Sequence, residues 1–435
     1  MDSIGGPSLI LGILFFALLA GGVWIGVSLL VVGAVGIHFF TGIPAGKVLG
    51  TIAWNTLDSW SLTCLPLFVF MGELLFRTRL SEQLFSGLAP WVHWLPGKLL
   101  HSNVIACTLF AAISGSSAAT CATISKVTLP QFKRLGYDQS LAVGSLAGSG
   151  TLGFLIPPSI IMVIYGVLAD QSIGKLFMAG LLPGALAALL YMGYIGIRGI
   201  MTPGITPAEA GLYTWKDRFH ALPQILPVLI LMIMVLGTIY AGWATPTEAA
   251  AIGVSGALLI GFFSGTLTWA SFKDSLRGAT RTSCMMCLIV LGASYFACAM
   301  GYLGIPRAMA MEVGSWNLSP YALIFALTIL YIILGCFLDG GSIIVVTLPI
   351  ALPMVQSAGF SPIWFGVFLV IMAELCKITP PLGFNLFVLE KETGLDITYI
   401  IRSAVPFFLL LLLTVAILTV FPEIALWLPS QMIGD

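Results

Sequence analysis

The stretch ITPPLGFNLF at residues 378–387 decides the fold of this chain. Its two consecutive prolines interrupt an apolar segment, and proline inside a helix removes a backbone donor and kinks or breaks that helix. A second stretch of the same kind, GTLGFLIPPSI, lies at residues 150–160 in the first half of the chain. Each stretch therefore predicts an apolar helix that is broken near its middle.

The composition places these broken helices in a membrane. Of the 435 residues, 59% are hydrophobic and 8% are charged, whereas a soluble protein carries about 25% charged residues. Apolar runs of about 20 residues, long enough to cross a hydrocarbon core of about 30 Å, recur along the chain. The predicted fold class is an all-α polytopic membrane protein with roughly ten to twelve helical spans. The 18 basic and 18 acidic residues balance, so charge does not favour a nucleic-acid partner.

The first apolar run and the cysteines add two expectations. Residues 8–40 follow no basic region, so we expect retained membrane structure rather than a cleaved signal, either one long tilted helix or two helices hinged at Gly21-Gly22. The eight cysteines lie mostly in apolar runs and imply no disulfide framework. Cys284 and Cys287 have CxxC spacing but no second pair, so we expect no cofactor and no metal site other than one for sodium.

The two Pro-Pro pairs are 223 residues apart in the sequence (380 − 157 = 223). The same offset carries Leu129-Pro130 onto Leu352-Pro353 and Gly136-Tyr137 onto Gly359-Phe360. Because proline and glycine fix backbone geometry, their shared placement indicates two copies of one structural unit. Coincidence among 48 glycines and 24 prolines is the alternative.

The loops of the two copies predict opposite orientations. Lys126, Lys133 and Arg134 surround the turn of the first copy, whereas residues 349–361 in the second copy carry no charge. The positive-inside rule then places the first loop in the cytoplasm and the second in the periplasm. We therefore expect inverted repeats, whose interface near the membrane midplane holds a substrate site.

Each copy also has an apolar segment that small residues interrupt, SGSS at residues 114–117 and DGGS at residues 339–342. Non-helical backbone is tolerated at membrane depth only beside protein or a watery cavity. The pattern predicts two re-entrant helical hairpins, and close helix packing through small residues is the alternative. We expect hairpins at about 102–128 and 320–358 and broken helices at about 140–168 and 362–389.

The hairpin tips and the breaks carry groups suited to ions. Carbonyls freed by proline, hydroxyls and an amide oxygen are ligands that Na⁺ prefers, and half-helix N-termini attract an anion; a kinked packing helix is the alternative. Asp339, whose equivalent in the first copy is Ser116, is a costly charge at membrane depth; it is expected to serve a cation site or to cap a helix, and the two roles are compatible. Glu374 lies three residues before Lys377, so we expect an ion pair first and a coupling role second.

At these residues the sequence resembles the large membrane subunit (DctM/SiaM-like) of the tripartite ATP-independent periplasmic (TRAP) transporters, within the ion transporter superfamily. The motifs span most of the chain: PLFVFMGELL (66–75), SGSSAAT (114–120), LPQFKRLGYD (129–138), GTLGFLIPPSI (150–160), FLDGGSIIVVTLPIALP (337–353) and ITPPLGFNLF (378–387).

The resemblance implies a transporter subunit rather than an enzyme. It implies Na⁺-driven uptake of a small organic anion, such as a dicarboxylate or a sialic acid, by an elevator movement in a bacterial inner membrane. The implied partners are a small four-helix membrane subunit (Q-type), a periplasmic substrate-binding protein (P-type) and the lipid bilayer. It also implies a moving transport unit of residues 101–200 and 320–428, a scaffold of residues 1–100 and 201–319, and a C-terminal tail at 429–435.

By motif position, the resemblance implies two sodium sites that flank the substrate. The first site is expected to draw on Gly115, Ser116, Ser117, Gly150 and Thr151. The second is expected to draw on Asp339, Gly340, Thr379, Pro380, Gly383 and Asn385. Substrate contacts are expected from Ser116, Ser117, Ser149, Pro157, Ser342, Thr379 and Asn385.

Three other functions fit the sequence less well. The nearest is a stand-alone symporter of sodium and a divalent anion that needs no binding protein, and genes for a small membrane subunit and a binding protein beside this one would argue against it. An intramembrane serine protease could use Ser255, but the four histidines lie at 38, 93, 101 and 220 and none follows it to act as a base. A nucleotide-driven pump is disfavoured because residues 42–48 lack the spacing and the hydroxyl of a phosphate loop.

Overall fold

The computed structural model describes residues 2–78, 80–202, 204–207, 213–316 and 318–432. These residues form twenty α-helices and three short 3₁₀ turns, and no β-strand occurs among them. The all-α prediction is therefore confirmed. The 3₁₀ turns are Trp60–Thr63, Thr151–Gly153 and Cys376–Ile378. The end of the predicted C-terminal tail, residues 433–435, lies outside the described residues.

The first half of the chain contributes ten helices: α1 (Asp2–Ala20), α2 (Ile25–Phe40), α3 (Ala45–Leu57), α4 (Cys64–Phe76), α5 (Leu80–Val92), α6 (Leu100–Ser114), α7 (Ser117–Leu135), α8 (Gln139–Gly150), α9 (Ile160–Leu168) and α10 (Ile173–Met201). The second half contributes the other ten: α11 (Trp215–Tyr240), α12 (Pro246–Phe263), α13 (Trp269–Tyr302), α14 (Ile305–Ser315), α15 (Pro320–Gly335), α16 (Gly340–Ser357), α17 (Pro362–Leu375), α18 (Phe384–Thr393), α19 (Ile397–Val420) and α20 (Glu423–Ser430).

The helix boundaries repeat along the whole chain with the offset found in the sequence. The first residues of α7 and α16 differ by that offset (340 − 117 = 223), and so do those of α8 and α17 (362 − 139 = 223). The same offset overlaps α1 with α11, α2 with α12, α3 and α4 with α13, α5 with α14, α6 with α15, α9 with α18, and α10 with α19. The duplication thus reaches well beyond residues 129–158, from which the sequence predicted it.

Helix pairs and helix interruptions lie where the sequence predicted the hairpins and the broken helices, and the re-entrant course of the hairpins stays a prediction. Gly115 ends α6 in the left-handed region with φ at 56°, a conformation that favours glycine, and Ser116 then caps α7. In the second copy Asp339 caps α16. Residues 151–159 separate α8 from α9, and residues 376–383 separate α17 from α18. Each separation contains two consecutive prolines, which together remove two backbone donors from the segment.

Several helices have the length and composition of membrane spans. Six of them, among the residues described, are long and apolar enough to cross a bilayer: α10, α11, α12, α13, α16 and α19. The bent pair of residues 45–57 and 60–76 would make a seventh, with an angle of 61° between its parts. Shorter apolar helices lie in α1, α2, α6 and α15. The prediction of roughly ten to twelve spans thus exceeds the six or seven that length and composition support among the described residues, because it also counted shorter apolar helices.

The first apolar run forms two helices rather than one. Helices α1 and α2 are separated at Gly21-Gly22, and Gly22 adopts φ of 76°. A side chain with a Cβ rarely adopts this conformation, so glycine permits the hinge. The two-helix alternative for residues 8–40 is confirmed.

Two sets of helix contacts are relevant to the site, and other contacts, such as those of α5 with α6 and of α13 with α16, join them. In one set α2 packs against α13, α4 against α12, and α5 against α11. In the other, the hairpins and broken helices of the two copies cross, because α7 packs against α18 while α16 packs against α9. The offset of 223 relates α7 to α16 and α9 to α18, so these two contacts are equivalent. Such reciprocal contact is what an approximate two-fold relation between two copies requires.

Candidate functional site

The first hairpin tip lies directly on the first break. A Cβ atom added to Gly153 would lie 2.6 Å from the backbone nitrogen of Ser117, closer than real Cβ atoms approach other atoms. A Cβ on Gly115 would lie 3.3 Å from the carbonyl oxygen of Pro158. Glycine at residue 153 therefore allows the turn after α8 to touch the start of α7.

A carboxylate from the second copy joins this contact. Glu374, at the end of α17, has no exposed surface. Its two oxygens accept hydrogen bonds from the Ser117 hydroxyl at 2.7 and 2.8 Å, and Oε1 also accepts one from the backbone N–H of Phe154. A carboxylate that is buried this deeply needs such donors. Glu374 thus ties the second broken helix to both the tip and the break of the first copy.

The ion pair expected between Glu374 and Lys377 is not formed. The Lys377 ammonium instead lies 5.3 Å from the centre of the Phe154 ring and 5.4 Å from that of Phe384. Both distances fall within the range of cation–π attraction. The prediction was wrong because Ser117 and Phe154, which are distant in sequence, supply the donors that Glu374 was expected to find nearby.

Asn385 lies at the start of α18 and faces the first copy. Its Nδ2 donates to the carbonyl oxygen of Ala147 at 3.5 Å and would lie 3.0 Å from a Cβ on Gly150. Its Oδ1 is buried and has no hydrogen-bond partner in the part of the chain that the structure describes. Asn385 was expected in the second sodium site with Asp339. In the structure it lies beside Gly150, a residue that was expected in the first sodium site.

The second hairpin tip packs against the end of α17. A Cβ on Gly340 would lie 2.6 Å from the Cβ of Ala373. Asp339 is exposed and caps α16: its Oδ2 accepts from Gly341 N–H at 3.1 Å, and its Oδ1 accepts from the Ser342 hydroxyl. The capping interpretation of Asp339 is confirmed, and its role towards a cation stays a prediction.

The remaining predicted hydroxyls donate to nearby backbone. Ser149 donates to the Ser145 carbonyl at 2.5 Å, Thr151 to that of Gly148 at 2.6 Å, and Thr379 to that of Leu375 at 2.7 Å. The Ser116 oxygen accepts from Ala119 N–H at 3.4 Å as the cap of α7. Since a hydroxyl has one donor and two lone pairs, these oxygens retain acceptor capacity for an ion or a substrate.

The two breaks differ in their exposure. Pro157-Pro158 and Pro380-Pro381 are both joined by cis peptide bonds. Pro157 and its neighbours are buried, whereas Pro380, Pro381 and Leu382 are exposed at the surface of the chain. Gly383 is buried behind them, and a Cβ there would lie 3.0 Å from the Lys377 carbonyl oxygen. The second break is therefore the one that is open to its surroundings.

Sequence reasoning missed the crossed contacts. Ser117 and Glu374 are separated by 257 residues, and nothing local indicates their pairing. The only signal in the sequence was a carboxylate inside an apolar segment. It indicates a buried polar group but does not identify the donors that bond to it. Phe154 offered no signal, because it contributes its backbone N–H.

The family model described as "Tripartite ATP-independent periplasmic transporter, DctM component" matches residues 12–424. The chain belongs to this family. It is therefore the large permease subunit of a TRAP transporter and a multi-pass membrane protein, as the resemblance implied. The related proteins are named as transporter permeases rather than enzymes.

Three relatives illustrate the match. The C4-dicarboxylate TRAP transporter large permease protein DctM of Pseudomonas aeruginosa is 34% identical, over 87% of this chain and 88% of its own length. The sialic acid TRAP transporter large permease protein SiaM of Vibrio cholerae is 30% identical, over 98% of this chain and 97% of its own. The isethionate TRAP transporter permease protein DctMQ of Oleidesulfovibrio alaskensis is 32% identical, over 89% of this chain and 61% of its own.

A solved structure shares the fold. The YdaH transporter of Alcanivorax borkumensis superposes with a TM-score of 0.63 over 88% of both chains. Its sequence identity of 14% limits the likeness to the fold.

Proposed function

We propose that this permease couples Na⁺ entry to the uptake of a small organic anion. A single observation carries the proposal: the side-chain oxygen of Asn385 is buried without a described partner, on a residue whose amide nitrogen lies against Gly150 where the two copies meet. An unpaired buried oxygen is costly, and a dehydrated cation would satisfy it. An amide oxygen, hydroxyls and backbone carbonyls form a ligand set of the hard type that Na⁺ takes.

Two sodium sites follow from the two tips and breaks. The first would use Gly115, Ser116, Ser117, Gly150 and Thr151, together with the Asn385 oxygen. The second would use Asp339, Gly340, Thr379, Pro380 and Gly383. The substrate would bind between them, near Ser116, Ser117, Ser149, Pro157, Ser342, Thr379 and Asn385.

The movement we propose is that of an elevator in an inner membrane. The crossed hairpins and broken helices, residues 101–200 and 320–428, would move as one transport unit against a scaffold of residues 1–100 and 201–319. The reciprocal contacts of α7 with α18 and of α16 with α9 support this division, because they tie the two copies into a single body. With the charge difference of the loops, they also support inverted repeats.

Substrate delivery would depend on two partners, a periplasmic binding protein and a small membrane subunit. The relative named DctMQ, of which this chain covers 61%, is consistent with a second membrane component joined to a large one. The names of the relatives suggest a C4-dicarboxylate, a sialic acid, isethionate or ectoine as candidate substrates.

The test is uptake into proteoliposomes that contain this chain and its small subunit, with the binding protein outside. The probes are labelled succinate, sialic acid, isethionate and ectoine. We expect one of them to accumulate only when Na⁺ is directed inward and the binding protein is present. Uptake without a Na⁺ gradient would contradict sodium coupling. Uptake of equal rate without the binding protein would favour the stand-alone symporter.

A further inference from the structure

Lys377 occupies an unusual position for a lysine. Only 8% of its surface is exposed, and it lies in the 3₁₀ turn that begins the second break. Burying an ammonium group is costly unless the charge is paired or hydrogen-bonded. None of the described carboxylates forms an ion pair with it, and its ammonium is held between the rings of Phe154 and Phe384.

The nearest candidate counter-ion in the sequence, Glu374, is bound elsewhere. Both of its oxygens accept from the Ser117 hydroxyl, and one accepts from Phe154 N–H as well. These bonds point the carboxylate into the first copy. The ammonium of Lys377 therefore keeps N–H donors that no described carboxylate uses.

The surroundings of Lys377 join both copies and open outwards. Phe154 belongs to the first break, whereas Phe384 begins α18 and is half exposed. The adjoining residues 380–382 are non-helical and exposed. Because non-helical backbone at membrane depth must face protein or a watery cavity, an anion in such a cavity could reach the ammonium between the two rings.

We propose that Lys377 binds an anionic group of the transported substrate, a carboxylate or a sulfonate. The inference rests on the proposed uptake of an organic anion and adds a positive charge to the uncharged groups expected to contact the substrate. A charge-assisted hydrogen bond from an ammonium to a carboxylate is among the stronger polar contacts in proteins. The two rings hold the ammonium through their faces and leave its donors for the anion.

The first test measures uptake by the complete transporter, with its small subunit and binding protein, in proteoliposomes. It uses whichever of succinate, sialic acid, isethionate and ectoine the unmodified protein takes up fastest, at saturating binding protein. We expect Lys377→Met to lower the rate at least about tenfold, while Lys377→Arg retains most of it. The matched control is Lys391→Met, an exposed lysine on α18. The half-saturating Na⁺ concentration and the unfolding temperature should not change, which separates anion binding from damage to an ion site or to the fold.

The second test needs neither transport nor a variant. Reductive methylation of lysines in the unmodified complex, followed by peptide mass spectrometry, is compared with and without an excess of each probe in Na⁺ buffer. We expect a probe to protect Lys377 and to leave Lys391 unprotected. Protection without Na⁺-driven uptake would refute the proposed function and leave the inference standing. Equal uptake rates for Lys377→Met and Lys391→Met, or methylation of Lys377 that no probe reduces, would overturn the inference.

Discussion

At the scale of single residues, the site depends on polar groups whose partners lie across the chain. Glu374 reaches Ser117, and Asn385 reaches Ala147. In the opposite direction, the Tyr165 hydroxyl donates to the carbonyl oxygen of Pro362 at 2.5 Å. Each of these bonds joins the first copy to the second. The residues at the crossing are therefore constrained by both copies, which makes their substitution informative.

Replacing Glu374 should weaken the contact between the two copies and lower the stability of the fold. In Glu374→Leu, the side chain has no oxygen left to accept from the Ser117 hydroxyl or the Phe154 N–H. We expect a loss of about 1–3 kcal/mol in the free energy of unfolding, the usual cost of leaving a buried donor unsatisfied. Thermal unfolding in detergent measures it, with Glu423→Leu as the exposed control. In a double-mutant cycle, Ser117→Ala and Glu374→Leu should not be additive; additive losses would mean that the hydrogen bond contributes nothing.

Asn385 should set the apparent affinity for sodium. In Asn385→Ala the buried Oδ1 is lost, so we expect the half-saturating Na⁺ concentration for uptake to rise roughly tenfold, the loss of about one favourable ligand contact. Asn103→Ala is a matched control, because Asn103 is fully buried and its Oδ1 also lacks a described partner, but it lies on α6 rather than at a break. An equal change in the two variants would remove Asn385 from the ion site.

At the scale of elements, close contact between tips and breaks decides the architecture. The turn at Thr151–Gly153 touches the start of α7, and the start of α16 touches the end of α17. Glycine permits each approach, since a Cβ at Gly153 or Gly340 would meet atoms of the neighbouring element. These contacts locate the capped N-termini of α7 and α16 beside the breaks, where their partial positive charge would favour an anion.

A methyl group at Gly153 should separate the tip from the break. The Cβ of Gly153→Ala would lie 2.6 Å from the backbone of Ser117, which cannot move aside as a flexible side chain could. We expect a loss of about 1–3 kcal/mol in the free energy of unfolding, as for other overpacked sites. The control is Gly193→Ala in α10, where a Cβ meets nothing within 4 Å. That variant should be neutral or slightly stabilising because alanine favours helix; a similar loss in both variants would contradict the proposed contact.

At the scale of the whole molecule, the helix boundaries repeat from α1 to α19, yet the two halves are not equivalent. The first break is buried and the second is exposed. Helix α6 packs against α4, α5, α10 and α11 in addition to α7 and α8, whereas α15 packs mainly against α16 and α17. The first hairpin is thus held more closely by the surrounding helices than the second. The second break, beside which Lys377 lies, is also the exposed one.

Opposite orientation of the copies is the prediction that belongs to this scale. The variants are Arg134→Cys, in the exposed basic last turn of α7, and Ser357→Cys, at the exposed end of α16 before the matching uncharged loop. The positive-inside rule predicts that a membrane-impermeant thiol reagent reaches residue 357 from the periplasm and residue 134 only after permeabilisation. The exposed Cys284 should first be replaced, so that labelling reports the introduced residue. Labelling of both positions from one side would disprove inverted repeats.

The sequence by itself determined the features that depend on local chemistry. Prolines at residues 157 and 380 predicted the breaks, small residues at 115 and 340 predicted the tips, and Gly21-Gly22 predicted the hinge, because these residues restrict or free the backbone wherever they occur. Asp339 was also identified as a possible cap from its position alone. The constant offset between matching prolines and glycines then indicated two copies.

Only the tertiary structure decided which of these groups meet. In the structure, Glu374 accepts a hydrogen bond from Ser117 instead of pairing with Lys377, and Asn385 lies beside Gly150. The ammonium of Lys377 contacts two aromatic rings. The physical reason is separation along the chain. A hydrogen bond across 257 residues leaves no local trace in sequence, because burial and packing, rather than backbone preference, determine which donor reaches which acceptor.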